Sequence, residues 1–568
     1  RGLGDVYKRQ VHGLPIIEHA EFGRNVPDEA MPDEDKMNLG KIYHMGKEEA
    51  AGLILNRQAM ASHTFITGST GTGKSNAVYH LLDEITKNGQ TTFLVVEPAK
   101  GEYKNVFGNC TDVQVFGTNP RETPLLRMNP FAFPENIHIL EHIDRLVEIF
   151  NACWPMYAAM PAVLKDAIER SYQKVGWDLR NSESEKGVFP TFFDLLDILP
   201  GVIEESHYSK DTQSDYVGAL CTRVKSLTNG IYGSVLCAED ALTDEALFDR
   251  NVIVDLSRVG SMETKSLLMG ILVMKLQEYR MCSSGMNSRL RHVTVLEEAH
   301  NLLRKTSAEQ SQEGANLQGK SVEMLANAIA EMRTYGEGFI IADQAPGLLD
   351  MSVIRNTNTK IILRLPDEED RKLVGKSAAL KEAQIDELSK LPLGVAAVYQ
   401  NEWPEAVLCK IEAYPMPENA VYHKPSKMPH EINAEFVFGQ LAVGKELEPL
   451  SISEMEQLKL WLKRHETVLK PEDDRYLERV FAGGELDVAK TRKAVFDFFG
   501  GIGTVVDYCA AAKKSLTPRK EFLEQLQGQY GLKAAAADWV LNSVISMGMS
   551  LNPDAKAVDL SLIHISEP

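Results

Sequence analysis

The stretch FITGSTGTGKS, Phe65 to Ser75, runs from a short β-rich segment into a glycine-rich turn, and the amphipathic NAVYHLLDEI follows at once. Gly68, Ser69, Thr70, Gly71, Thr72, Gly73, Lys74 and Ser75 satisfy the pattern G-x-x-x-x-G-K-[ST] in full. Glycines let the backbone wrap until its N–H groups point at phosphate oxygens, and the following helix turns its positive end toward them. In that geometry Lys74 reaches the β- and γ-phosphates, the Ser75 hydroxyl ligates Mg2+, and Asn76 ends the nucleotide-binding stretch. A chance flexible turn would lack the strand before and the helix after. The pattern therefore implies ATP, with Mg2+.

A second segment fits the first. HVTVLEEAHNLLRK, His292 to Lys305, carries a strand-like run, Val293 to Leu296, into the adjacent acids Glu297 and Glu298. Two carboxylates at the end of an apolar strand repel each other unless a cation and solvent relieve them. Beside a phosphate cradle the first acid, Glu297, is expected on the Mg2+ side, and Glu298 is expected to orient and deprotonate the attacking water. Most such strands end in Asp-Glu, so Glu297 is a departure, long enough to reach the metal through water. Taken alone, LEEAH also reads as a solvated helix start with acids at its positive end. GFIIADQAP, Gly338 to Pro346, is an apolar strand ending in Asp343 and Gln344. A polar tip there suits a γ-phosphate sensor, Gln344 ahead of Asp343, although strands commonly end in polar turns before proline. Arginines neutralise charge in phosphoryl transfer, often from a neighbouring subunit. Arg333 is the first candidate, then Arg364, with Arg355 behind; any one of them also reads as a surface arginine. His300 reads either as a coupler of the acid pair to a neighbouring segment or as a helix-surface histidine. The glycine cluster FFGGIG, Phe498 to Gly503, lacks strand context and receives no function.

The chain has 568 residues, 44% of them apolar and 25% charged, as in ordinary soluble proteins of several domains. SLLMGILVM, Ser266 to Met274, lies between Lys265 and Lys275 and is too short to span a bilayer, so it reads as a buried helix and no membrane partner is expected. Seven cysteines without paired spacing fit a reducing, cytoplasmic setting and no disulfide or zinc framework. A net charge of −19 confines any nucleic-acid contact to a local groove or pore.

Strand-like pieces (AGLIL, TTFLVVEPAK, VQVFG, NVIVDLS, HVTVLEE, GFIIADQ, TKIILRL, GVAAVYQ) alternate with helical ones. This pattern predicts an α/β fold with a mostly parallel central sheet and helices on both faces. Residues 131–245 read as a helical insertion, with apolar residues at helical spacing from Ile137 to Phe150 and in PAVLKDAIERSYQKV. The expected organisation is an N-terminal remnant over 11–61, an ATPase core over 62–415 and a C-terminal helical region over 430–560. Residues 1–10 and 561–568 match nothing around them and read as non-native tails on a piece of a longer protein.

FITGSTGTGKS, VVEPAKGEYK, LRMNPFAFP, VTVLEEAHNLL, AEMRTYGEGFIIADQAPGLLDMSVIRNTNTKIILRL and LPLGVAAV occur in the order found in the HerA branch of the HerA/FtsK superfamily. Over roughly residues 40–410 the chain resembles that family. The resemblance implies a RecA-like P-loop NTPase that assembles as a hexameric ring and drives double-stranded DNA through its pore, a translocase or helicase working with a nuclease or a phage-defence effector. By the same resemblance Lys74 and Ser75 bind phosphate and Mg2+, Glu297 and Glu298 act at metal and water, Gln344 senses nucleotide, and Arg333 or Arg364 completes a neighbour's site. The family's N-terminal β-barrel needs more residues than 11–61 provide, which implies that it is missing or truncated. RKTSAEQSQEGANLQGKS, Arg304 to Ser321, is expected as a pore-facing loop in which Arg304, Lys305 and Lys320 meet phosphates, or else as a linker. Alternatives of other classes are a conjugation- or secretion-type coupling ATPase and an ATP-dependent switch that assembles a defence complex.

Overall fold

The computed structural model describes residues 19–24, 31–157, 159–184, 188–238, 241–306, 314–416, 420–425, 450, 471–481, 483–487 and 490–491. The chain divides into two compact units, Arg1–Lys424 and Pro425–Pro568.

The first unit is built on β1 (Lys36–His44), β2 (Lys47–Asn56), β3 (Thr64–Thr67), β4 (Thr92–Glu97), β5 (Val113–Gly117), β6 (Trp177–Asp178), β7 (Glu183–Ser184), β8 (Asn251–Asp255), β9 (His292–Glu297), β10 (Glu337–Asp343), β11 (Thr359–Ile362), β12 (Val395–Gln400) and β13 (Val407–Ile411). Eleven of these form one sheet in the order β2-β1-β13-β12-β11-β3-β10-β9-β4-β8-β5. From β11 to β5 every pairing is parallel; β2, β1, β13 and β12 extend the sheet antiparallel past β11. The architecture is a mostly parallel α/β fold, as the alternation predicted, and of the RecA-like type that the resemblance implied.

β3, β8, β9 and β10 are buried at every position, which a strand achieves only with helices over both faces. Alternate side chains divide between the two. Phe65, Leu94, Val96, Leu296 and Ile341 join one core, and Ile66, Phe93, Val95, Val295 and Ile340 join the other. Helix Lys74–Thr86 covers the second face with Val78, Leu81, Leu82 and Ile85. The first face is covered by helices Ile139–Cys153 and Met262–Ser283. Gly270 lets those two helices meet closely, since a Cβ there would stand 2.8 Å from Ile149 Cγ2. The helix containing SLLMGILVM is thus a core element, and among the described residues no helix is long and apolar enough to cross a membrane.

Parallel strands bring their carboxyl ends to one edge. Thr67 is in register with Asp343, Glu297 with Ala342, and Glu97 with Asp255. Ligands of open α/β sheets bind at such an edge.

The structure also departs from the sequence reading. β1 and β13 were not anticipated, nor was the β6–β7 hairpin inside an otherwise helical stretch. Arg304–Ser321 is not a continuous loop: a helix spans Gly314–Glu331. Gln318 Nε2 donates to the Ala152 carbonyl and Ser321 Oγ to Glu148 Oε2, fixing that helix to Ile139–Cys153. Arg304, Lys305 and Lys320 are exposed. In the second unit helix Pro471–Phe481 is described, with Tyr476 Oη held against Thr491 Oγ1 at 2.7 Å. Apart from residues 450, 483–487 and 490–491, the remainder of the expected 430–560 helical region, FFGGIG and the two tails lie outside the described residues.

Candidate active site

β3 ends at Thr67 and the chain turns through Gly68 onto the helix beginning at Lys74. Gly71 and Gly73 hold φ of +76° and +104°, left-handed values that suit glycine. Hydrogen bonds shape the turn: Ser69 N and Oγ both donate to the Arg364 carbonyl (3.0 and 3.1 Å), and Thr72 Oγ1 donates to the Ser69 carbonyl at 2.7 Å. No side chain caps the helix at Gly73, so its first N–H groups have no side-chain acceptor at that end. That is a cradle for an anion.

Lys74, Glu297 and Glu298 come together. Lys74 Nζ lies 3.4 Å from Glu297 Oε2 and 3.3 Å from Glu298 Oε1, all three nearly buried. The two carboxylates thus share a cation. Glu298 follows β9 with φ 46° and ψ 50°. Gln344 joins them: its Nε2 donates to Glu298 Oε1, and its Oε1 accepts from Thr70 Oγ1 at 2.6 Å. A side-chain chain therefore links the cradle, the tip of β10 and the second acid. Asp343 turns elsewhere, accepting from His300 N and Nδ1 (both 2.9 Å) and from Ala345 N (2.9 Å). The bond to Asp343 raises the His300 pKa against burial, with Glu298, 3.6 Å from His300 Nδ1, adding to the rise. His300 thus couples the acid strand to β10.

Other candidates fall outside this cluster. Asn76 does not present a free amide: Nδ2 donates to the Glu412 carbonyl and Oδ1 accepts from Tyr414 N, so its side chain is a strut. The Arg364 carbonyl braces the loop while its side chain is exposed. Arg333 precedes β10 and Arg355 precedes β11, both exposed. They stand at the amino ends of these parallel strands, opposite the cradle. Neither meets the acid pair of its own chain.

Sequence reasoning gave no role to Glu97, Tyr103, Lys104 or Asp255. Tyr103 Oη donates to Glu297 Oε1 at 2.5 Å. Glu97 accepts from Glu102 N (2.7 Å) and Tyr103 N (3.1 Å), pinning the turn that aims Tyr103. Burial pushes the Glu97 carboxyl up to about 7, against those N–H groups and with Asp255 and Glu297 adding to the rise. Burial and Glu297 likewise raise the Tyr103 phenol well above its ordinary value. Lys104 Nζ lies 2.5 Å from Asp255 Oδ2 and 3.0 Å from Glu122 Oε2. An acidic strand end followed at short distance by tyrosine and lysine was the available signal.

Residues 37–275 match the family model described as the central domain of helicase HerA. Over those residues the core is similar to that HerA domain. A probable helicase of Methanocaldococcus jannaschii is 23% identical over 436 residues, 70% of this chain and 76% of the relative. The DNA double-strand break repair helicase HerA of Sulfolobus acidocaldarius is 25% identical over 393 residues, 66% of this chain and 69% of the relative. Among solved structures, VirB4 of Thermoanaerobacter pseudethanolicus superposes with a TM-score of 0.51 at 18% identity, covering 68% of this chain and 98% of that one, a likeness of fold.

Proposed function

We propose that this HerA-like chain is an ATP-hydrolysing motor that moves along double-stranded DNA as a hexameric ring, with a nuclease or a defence effector as partner. The observation that carries the reading is the meeting of Lys74, Glu297, Glu298, Gln344 and Thr70 at one edge of the sheet. Relatives named as helicases support DNA as the polymer.

In this reading the nucleotide phosphates take the place of the two carboxylates around Lys74. Ser75 and Glu297 would hold Mg2+; hydroxyl and carboxylate oxygens suit that hard cation, which supplies charge neutralisation at the β- and γ-phosphates when bound. Tyr103 keeps one Glu297 oxygen occupied and leaves the other for this task. Glu298, released from Lys74, accepts the proton of the attacking water. Gln344 reports the state of the cradle to Glu298, because it bonds Thr70 and Glu298 at once. Arg333 or Arg364 from a neighbouring subunit completes the charge around the transferring phosphoryl group.

Steady-state ATP hydrolysis with and without double-stranded DNA, on wild type, Lys74→Ala and Glu298→Gln, tests this. DNA is expected to stimulate hydrolysis in the wild type, and each substitution to lower kcat by at least about a hundredfold. Hydrolysis indifferent to DNA would remove the DNA motor, and hydrolysis undiminished in Glu298→Gln would remove the role of the second acid.

A further inference from the structure

The two carboxylate oxygens of Glu298 face different partners. Oε1 lies 3.3 Å from Lys74 Nζ and accepts from Gln344 Nε2, whereas Oε2 lies 3.6 Å from His300 Nδ1. In the proposed reaction Lys74 leaves for the phosphates. Gln344 and His300 are then what remains on the carboxylate, and His300 stands on the side that Gln344 does not reach.

His300 sits on a single tight turn, Ala299–Asn301, directly after Glu298. Its direction is set from the end of β10. Asp343 Oδ2 accepts from both the backbone N–H and the ring Nδ1 of His300, each at 2.9 Å, and Asp343 Oδ1 is itself fixed by Ala345 N at 2.9 Å. The Asp343 side chain is fully buried, while 23% of the His300 side chain is exposed. A carboxylate only accepts, so these partners place a proton on Nδ1. Atoms of Glu298, His300 and Asp343 lie within 4.8 Å of one another. Two carboxylates so close repel unless a donor or a cation stands between them, and the His300 ring stands there. At 3.6 Å its contact with Glu298 is too long for a hydrogen bond. It is electrostatic, and it draws the carboxylate toward the ring. A strut joining β9 to β10 would need only the bonds to Asp343; the second carboxylate on the same ring nitrogen is what such a strut does not explain. A buried carboxylate that orients an imidazole, which in turn meets a reacting group, is a recurring way of aiming that group.

We propose that His300, oriented by Asp343, is a positioning residue that keeps Glu298 aimed at the attacking water once Lys74 has turned to the phosphates. The proposal rests on the reading of Glu298 as the acceptor of the water's proton.

Single-turnover ATP hydrolysis and equilibrium Mg-ATP binding by the full chain test it, on wild type, His300→Ala, His300→Asn, Glu298→Gln and the double variant His300→Ala/Glu298→Gln. His300→Ala is expected to slow hydrolysis about 10- to 100-fold, the scale of a reacting group displaced by about 1 Å. ATP affinity is expected to stay within about twofold of wild type, because the partners of His300 are Asp343 and Glu298 rather than the cradle. His300→Asn, whose amide can still donate toward Asp343, is expected to recover most of the lost rate. In the Glu298→Gln background the amide takes no proton from water, so removing His300 is expected to cost nothing further. An unchanged rate in His300→Ala would overturn the proposal. So would the same fold-loss in both backgrounds, an ATP affinity that falls in step with the rate, or an asparagine no better than alanine, each of which marks His300 as a strut of the fold. Hydrolysis undiminished in Glu298→Gln would instead remove the reading of the second acid on which the proposal rests.

Discussion

Glu298 occupies a left-handed backbone conformation, φ 46° and ψ 50°, that costs an L-residue about 1–2 kcal/mol. Such strain persists where surrounding contacts over-determine it. Here Asn301 N and Nδ2 both donate to the Glu298 carbonyl, at 2.9 and 2.7 Å, while Gln344 and Lys74 hold its carboxylate. Its neighbour Glu297 is fixed differently, through the Tyr103 hydroxyl. Tyr103 is therefore a positioning residue in the proposed reaction. Tyr103→Phe keeps the ring that packs edge-on against Tyr79 at 4.9 Å and deletes only the bond to Glu297. ATP turnover is expected to fall about 10- to 100-fold while the melting temperature stays within a few degrees of wild type. An unchanged kcat would show that Glu297 needs no such partner.

At the level of elements, the end of the sheet opposite the site is held by a buried charge network. Arg280, fully buried on helix Met262–Ser283, donates to Glu337 Oε2 at 2.9 Å and to Asp249 Oδ1 at 2.7 Å. His292 Nδ1 lies 2.7 Å from Glu337 Oε1, and Thr294 Oγ1 donates to the same oxygen. Burial alone would raise the Glu337 carboxyl; His292 and Arg280 instead bring it down to about 2. Breaking a buried pair strands its partner charge, so Arg280→Ala is expected to lower stability by about 3–5 kcal/mol, read as a loss in denaturant midpoint. A loss below about 1 kcal/mol would mean that the network relaxes without its arginine.

The elements most legible in the sequence were those with unbroken apolar runs, such as VTVL and FIIA, because burial on both faces leaves no polar alternation. β1 was hidden by Gly40, beside which its pairing with β2 shifts register. The helix Gly314–Glu331 was hidden because its contacts with its neighbour are made partly by polar and small residues such as Gln318 and Ser321. In the site, the cradle and the acid pair could be found because each is contiguous. The Tyr103–Glu297 bond could not, since its partners stand 194 residues apart. Asn76 shows the converse: its place directly after the motif was plain, but its role as a strut required the hydrogen-bond partners at Glu412 and Tyr414.

For the whole molecule, a net charge of −19 repels DNA at long range. A DNA motor of this composition must concentrate its contacts on local cations, and exposed Arg304, Lys305 and Lys320, in the stretch between β9 and β10, are those expected from the sequence to meet phosphates. The decisive property of such a motor is movement, which hydrolysis alone does not demonstrate. Displacement of a short third strand from triplex-bearing double-stranded DNA, driven by ATP, measures it on the full chain. Wild type is expected to displace the third strand with ATP, and Glu298→Gln to leave it bound. Brisk ATP hydrolysis by the wild type with the third strand fully retained would contradict translocation on double-stranded DNA.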